Sequence, residues 1–280
     1  MTQSRREVLN MEFRNVLVVF DPTRSEQPAL DRAAVIAADS GVRFVVFACI
    51  HEDLEGHPNR AEETRRRIGL QREQLAQAVA PLLEQGAAVT TEVEWDRNWY
   101  DAVVRASIRH DVSVVLKSTY RHSARQRILN RTSDWTLIRE CLCPVLLVRE
   151  GEPRDMHKIL AAIDIRARSE AYDRLNRQII DFGQRVLDSP RAEVHFINAF
   201  QDLKEFPDRN ELVRSCGVDS SRIHIQMGDP EEVIVDRARE LGASLVVLGN
   251  SGRSGLSAMI SGNTVEKVLD KLECDVLSLP

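Results

Sequence analysis

Several features that define large protein classes are missing from this 280-residue chain. No apolar stretch approaches the roughly 20 residues that a membrane-spanning helix needs. The first 13 residues are charged and contain no apolar core, so we expect no secretory signal. The formal net charge is −5, and a chain without a basic excess is not expected to bind nucleic acid in general. These absences favour a cytoplasmic globular protein.

The motifs of common catalytic and metal sites are missing as well. None of the seven histidines stands in an HExxH pattern, and no GxSxG elbow occurs. The five cysteines include no CxxC pair, which fits reduced thiols in a cytoplasm. Cys141 and Cys143 lie where a helical pattern passes into a strand, a position that favours buried thiols over a metal pair. We therefore expect neither a metal site nor a dedicated catalytic centre.

What the sequence does contain is one pattern of apolar runs and amphipathic segments that occurs twice. The first copy opens with an apolar run that ends at Asp21, and the second opens with a similar run that ends at Asp164. Short runs that are apolar throughout are typical of strands buried on both faces of a parallel sheet. Strands that alternate with helices predict two tandem, doubly wound α/β domains, each with a five-stranded parallel sheet.

The predicted domains are residues 13–150 and 156–280, joined by the polar linker 151–155 and preceded by an N-terminal tail, 1–12. Met11 is an alternative start to Met1. The second copy is shorter, mainly between its second and third strands, where the first copy has a long arginine-rich helical segment at 62–84. The predicted strands are 15–21, 44–50, 88–94, 112–116 and 144–148, followed by 158–164, 192–200, 222–227, 245–248 and 275–279.

A glycine-rich stretch follows the fourth strand of the second copy. Gly249, Gly252 and Gly255 recur there, and Asn263 is suited to cap the next helix, with Glu266 as its capping-box partner. A strand, a glycine loop and a helix N-terminus form an anion cradle, because free amides and the helix dipole favour negative charge. The stretch predicts a nucleotide site without a Walker lysine, and the alternative is an ordinary glycine turn.

The spacing G-x2-G-x9-G, with its last glycine at Gly262, resembles the ATP-binding signature of the universal stress proteins. The segment 227–230 is also similar to the family pattern. The tandem arrangement, the pair Asp21-Pro22 and the LKSTY segment that contains Lys117 resemble the two-domain, E-type members of that family. The resemblance implies a Rossmann-like fold with the nucleotide over the carboxyl ends of the strands. It assigns Asp164 to the adenine and ribose, and a backbone contact from Asn198 or Ala199 to the base. It assigns the phosphates to Gly249, Ser251, Gly252, Arg253, Gly262, Asn263 and Thr264.

The first copy departs from this signature. Lys117, Tyr120 and Arg131 stand where the second copy has its glycines. Side chains at these positions take the space of a phosphate chain, so we expect no ATP in the first copy. The loop has no acidic residue, which predicts a solvated basic face, with an anion or partner patch as the alternative. Its basic residues are Lys117, Arg121, His122, Arg125, Arg127 and Arg131.

These patterns and the resemblance together predict a stress-response protein that binds ATP, with or without Mg²⁺, or a related nucleotide, and acts as a sensor or switch. Two alternatives remain open: a slow ATPase or autophosphorylating enzyme, and a scaffold whose C-terminal cavity binds another nucleotide-bearing or apolar metabolite. We expect the two domains to pack on each other as an internal pseudo-dimer. A homodimer and regulatory protein partners remain open, and no membrane partner is expected.

Overall fold

A computed structural model describes residues 14–37, 41–120, 134–151, 157–165, 170–187, 192–250, 268–269 and 271–280. The chain divides between Pro153 and Arg154 into an N-terminal and a C-terminal unit. None of the helices in the described ranges combines the length and the apolar character needed to cross a bilayer.

The N-terminal unit contains five parallel strands in the order β3-β2-β1-β4-β5. These strands are β1 (Asn15–Phe20), β2 (Arg43–Ile50), β3 (Ala88–Trp95), β4 (Val114–Thr119) and β5 (Val145–Arg149). Its helices are α1 (Pro28–Ala37), α2 (Arg60–Ala78), α3 (Ala80–Glu84), α4 (Trp99–Arg109) and helical residues 134–140, named α5.

The C-terminal unit repeats this order as β8-β7-β6-β9-β10, again with parallel pairing throughout. Its strands are β6 (Lys158–Ala162), β7 (Glu193–Phe200), β8 (Ile223–Met227), β9 (Leu245–Gly249) and β10 (Asp275–Leu279). Its main helices are α6 (Glu170–Leu187), α7 (Arg209–Cys216) and α8 (Pro230–Leu241). The predicted fold class, two α/β units with five-stranded parallel sheets, is confirmed.

The apolar runs form strands because helices cover both faces of each sheet. Val16, Leu17 and Val18 in β1 have no exposed surface, and neighbouring residues of a strand point to opposite faces. The helices need only one apolar face. In α4 the buried residues include Ala102, Val103 and Ala106, and the charged side chains lie on the other side.

Several boundaries differ from the sequence prediction, most of them by one or two residues, and two of the differences have a clear local cause. The arginine-rich segment forms two helices, since Pro81 lacks an amide hydrogen and α2 ends at Ala78 before it. Strand β4 begins at Val114 rather than at residue 112, because the chain leaves α4 through Asp111, whose φ is +47°. The corresponding segment of the C-terminal unit, 201–222, contains only α7 and two short 3₁₀ turns, as the shorter second copy predicted.

A row of titratable side chains crosses strands β7 and β8. The Nε2 atom of His195 lies 2.8 Å from Oε1 of Glu193, and its Nδ1 atom lies 2.9 Å from Nε2 of His224. Burial, together with the positive charges of Arg237, His195 and Arg209, lowers the pKa of His224 from 6.5 to about 4. His224 is therefore neutral in the folded protein at neutral pH.

We expect the C-terminal unit to lose stability as the pH falls from about 6.5 toward 4. In that window the unfolded chain binds a proton at His224 and the folded chain does not, so a falling pH favours the unfolded state. Above about pH 6.5 neither state is protonated at His224, and the free energy of unfolding keeps its full value. Thermal melts at pH 7.5 and pH 5 should show the fall, and His224→Gln should reduce it by on the order of 2 °C, because the side chain is only partly buried. An equal fall in both proteins would contradict this role of His224.

Candidate functional site

The carboxyl ends of three adjacent strands in the C-terminal unit carry four of the predicted site residues. Strand β6 pairs with β7 on one side and with β9 on the other. Asp164 follows β6, Asn198 and Ala199 lie near the end of β7, and Gly249 ends β9. The strand order reverses between β6 and β9, which is where open parallel sheets bind ligands. These four residues therefore lie at one edge of one sheet.

The backbone of Asp164 is held by an amide side chain from the next helix. Asn176 of α6 donates from Nδ2 to the Asp164 carbonyl oxygen at 2.6 Å, and its Oδ1 accepts from the Asp164 amide at 3.0 Å. The amide and carbonyl groups of Asp164 thus both have a hydrogen-bond partner, although the residue lies beyond the end of β6. The clamp fixes the position from which the Asp164 side chain projects.

Asn198 is completely buried at the neighbouring strand end. Its Nδ2 atom donates to the carbonyl oxygen of Ile163 at 3.0 Å, which ties β7 to the residue before Asp164. Its Oδ1 atom has no hydrogen-bond partner among the described residues. A buried acceptor without a donor is uncommon and costly in a folded protein, and this atom has no accessible surface at which a ligand could bind.

Gly249 has a packing role that the sequence did not indicate. A Cβ atom at this position would lie 2.4 Å from both Cγ and Cδ2 of Leu175 in α6. Leu175 is itself buried and cannot simply rotate into solvent. The glycine is thus required for close packing of α6 on β9, independently of any phosphate.

The remaining predicted phosphate contacts lie outside the described residues. They are Ser251, Gly252, Arg253, Gly262, Asn263 and Thr264. The same holds for five residues of the basic loop in the N-terminal unit, Arg121, His122, Arg125, Arg127 and Arg131.

Lys117 differs from the expectation, because it lies within β4 rather than in that loop. It was predicted to belong to a solvated basic face, but its side chain is only 11% exposed. Its Nζ atom donates to the Ser118 carbonyl oxygen at 2.6 Å, lies 5.2 Å from the Trp99 ring centre and 3.5 Å from Oδ1 of Asp134. The aromatic ring and the carboxylate attract the ammonium group inward, over the end of β4.

Tyr120 fills the space next to Lys117. Its hydroxyl group donates to the carbonyl oxygen of Glu26 at 2.9 Å, and the guanidinium of Arg24 lies 4.8 Å from the ring centre. The ring is buried, and burial raises the pKa of its hydroxyl group. Lys117 and Tyr120 therefore fill the edge of the N-terminal sheet at the end of β4.

The expected match of Lys117 with Gly249 is wrong, because Val16 and Ile159, each five residues before its acid, pair with Val114 and Leu245. This register places Ser118, rather than Lys117, at the position of Gly249.

The acid that follows β1 is clamped as its counterpart is, but by a different residue. Gln27 donates from Nε2 to the carbonyl oxygens of Asp21 and Arg24, and its Oε1 accepts from the Asp21 amide. The Asp21 carboxylate accepts hydrogen bonds from the amide and the hydroxyl group of Thr23, at 2.9 and 2.6 Å. Asp21 thus closes a local turn.

A cavity of about 260 Å³ remains beside these side chains, lined by Asp21, Cys49 and Trp99 among others. Sites for drug-sized ligands have volumes of roughly 300–1,000 Å³, so this cavity is small for a nucleotide. Within the described ranges, no group of three or more His, Cys, Asp or Glu side chains is arranged to hold a metal ion.

Comparison with known proteins yields one family over both units. A sequence profile of the universal stress protein family matches residues 12–149 and again residues 156–280. Universal stress protein E of Photorhabdus laumondii is 30% identical over 300 residues, which cover 95% of each chain. Universal stress protein E of Escherichia coli K12 is 29% identical over 301 residues, which cover 95% of this chain and 93% of that one.

Solved structures with the same fold cover nearly the whole chain. A protein of unknown function from Pseudomonas aeruginosa PAO1 is 27% identical and has a TM-score of 0.70, with coverage of 95% of this chain and 92% of that one. A universal stress protein from Archaeoglobus fulgidus is 18% identical and has a TM-score of 0.69, with 95% of each chain covered. The second likeness supports the fold alone.

Proposed function

The chain belongs to the universal stress protein family, and on that premise we propose that it binds ATP or a related nucleotide through its C-terminal unit. In the proposal, nucleotide binding makes the protein a sensor or regulatory switch in a stress response. Mg²⁺ would accompany ATP, with phosphate oxygens as its ligands rather than a cluster of protein side chains.

One observation carries the proposal: the two equivalent sheet edges differ in what fills them. Lys117 and Tyr120 occupy the edge in the N-terminal unit, through contacts with Asp134 and Glu26. The equivalent strand of the C-terminal unit, β9, instead ends in a glycine-rich stretch that includes Gly249 and Gly252. Glycine lets a backbone approach a phosphate closely, whereas a buried lysine or tyrosine side chain excludes it.

The described residues fit the base and ribose end of a nucleotide. Asn176 fixes the backbone of Asp164, whose carboxylate can accept hydrogen bonds from ribose hydroxyl groups. Asn198 and Ala199 lie beside Asp164 near the end of β7, where a backbone group can bond to the base. We therefore assign the base and ribose to the ends of β6 and β7, and the phosphates to the glycine loop after β9.

We favour a switch over a dedicated enzyme, because a switch requires only that nucleotide binding differ between two states of the protein. Cytoplasmic location and an internal pseudo-dimer of the two units belong to the same proposal. Separation of the chain at Pro153 into two stable monomers would contradict the pseudo-dimer.

Calorimetry with ATP, ADP and AMP tests the nucleotide site. We expect one nucleotide per chain, and Asp164→Asn should weaken binding about tenfold, since a hydrogen bond to a charged group is worth roughly 1.5–3 kcal/mol. Asp21→Asn is the matched control, because Asp21 occupies the equivalent position in the N-terminal unit. It should leave the affinity unchanged.

Three results would count against the proposal. Wild-type protein that binds no nucleotide at millimolar ATP would overturn it, and two nucleotides per chain would contradict the asymmetry between the units. Steady phosphate release that is reduced by Asp164→Asn and spared by Asp21→Asn would favour the ATPase alternative over the switch.

A further inference from the structure

Two cysteine sulfur atoms are in contact at the turn between α5 and β5. The Sγ atoms of Cys141 and Cys143 lie 3.4 Å apart, with the exposed Leu142 between the two residues. The turn is anchored at both ends, since the Cys141 amide donates to the Leu137 carbonyl oxygen and the Val115 amide donates to that of Pro144. The contact between the sulfurs is thus built into the end of one helix and the start of one strand.

The environment of the pair differs for its two members. Cys141 is 2% exposed, and its sulfur lies 3.9 Å from the hydroxyl oxygen of Ser107 in α4. Cys143 is partly exposed. The thiol of Cys143, with backbone amides of the turn, lowers the pKa of Cys141 to about 6, while the same contact raises the pKa of Cys143. The pair therefore loses its first proton readily and holds its second.

We propose that Cys141 and Cys143 form a redox-active dithiol, which a small hydroperoxide oxidises to an intramolecular disulfide. The contact of 3.4 Å must shorten to about 2.05 Å, a movement that side-chain rotation within the turn supplies. Oxidation of the two thiols does not require nucleotide binding by the C-terminal unit.

The chemistry balances with the hydroperoxide as the oxidant. The Cys141 thiolate attacks one peroxide oxygen, the O–O bond breaks, and the leaving oxygen departs as water or an alcohol after it takes up a proton. The product is a sulfenic acid at Cys141. The Cys143 sulfur then attacks the Cys141 sulfur, the S–O bond breaks, and the hydroxide leaves as water with the Cys143 proton. Each sulfur loses one electron, and the peroxide gains two.

Two of the other cysteines, Cys49 and Cys216, have no second sulfur atom in contact among the described residues. Burial raises the pKa of Cys216 to about 12 and that of Cys49 to about 11. A thiol is oxidised through its thiolate, so these two are expected to react slowly. Cys216 is therefore a suitable internal reference for the pair.

The test is oxidation of the intact, reduced chain with hydrogen peroxide at pH 7, followed by alkylation in denaturant and peptide mapping. We expect the peptide that carries both Cys141 and Cys143 to lose two hydrogen atoms in mass and to escape alkylation. Its oxidation should be at least about tenfold faster than that of Cys216, because of its larger thiolate fraction. Dithiothreitol should restore both thiols.

Single substitutions separate the two steps. Cys143→Ser should stop at a Cys141 sulfenic acid that a dimedone probe traps, whereas Cys216→Ser should form the disulfide as wild type does. Oxidation of Cys141 and Cys143 no faster than that of Cys216 would overturn the proposal. So would a wild-type product that stays at sulfenic or sulfinic acid without a disulfide. Both of these readings use the native chain and do not depend on how well a variant folds.

Discussion

Gly249→Ala is expected to lower the free energy of unfolding of the C-terminal unit by about 2–3 kcal/mol, as overpacked cores do. The added Cβ would lie 2.4 Å from two carbons of Leu175, a separation that side chains do not tolerate. Leu175 is buried between α6 and β9, so relief requires α6 to move away from the sheet. Chemical denaturation monitored by circular dichroism measures the loss.

Gly69→Ala is the matched control for this substitution. Gly69 lies within α2, has an ordinary helical backbone, and a Cβ atom there would meet nothing within 4 Å. We expect it to be neutral or stabilising by up to about 1 kcal/mol, since alanine favours helix more than glycine does. The combination of Gly249→Ala with Leu175→Ala should cost less than the two single losses added together. Additive losses would show that the clash is not the cause.

The second large effect is expected at the amide clamps of Asp21 and Asp164. Gln27→Met should destabilise the N-terminal unit by about 2–3 kcal/mol, because it leaves the amide of Asp21 and the carbonyl group of Arg24 without their partner and removes one of two hydrogen bonds to the Asp21 carbonyl oxygen. Asn176→Leu should destabilise the C-terminal unit by about 1–2 kcal/mol, since its side chain makes two such bonds and is less buried.

Gln178→Leu controls for the removal of an amide from α6. Gln178 is exposed on the same helix as Asn176, and its replacement should change stability by less than about 0.5 kcal/mol. Unfolding by urea with hydrogen-exchange readout at Asp21 and Asp164 would separate the local from the global effect. If Asn176→Leu and Gln178→Leu gave equal stabilities, the clamp would have no energetic role.

Most of the strands could be predicted from sequence because they are apolar runs, whereas β3 was predicted from its alternating pattern. Both signals depend only on neighbouring residues. The first strand and its terminal acid recur in both copies, so the duplication was also readable from Asp21 and Asp164. The break before α3 was in principle readable too, since Pro81 cannot continue a helix through its own position.

The clamps were not predictable from the repeat, because the two units use different residues at different distances. Gln27 lies in the turn just before α1, whereas Asn176 lies within α6. The inward position of Lys117 depends on Trp99 and Asp134, which come from two other elements. Such contacts are set by tertiary packing, and a local pattern of charge does not report them.

The strand order described for the N-terminal unit also fixes when that unit can be completed during synthesis. Strand β1 leaves the ribosome first but lies between β2 and β4 in the sheet. Val16 therefore cannot pair with Val114 until β4 has been synthesised. The central strand therefore stays open on one side until most of the unit has emerged, which is a long interval for an apolar edge. Once β5 has followed, all five strands are present before β6 is made, so the first sheet can close while the second has yet to be translated.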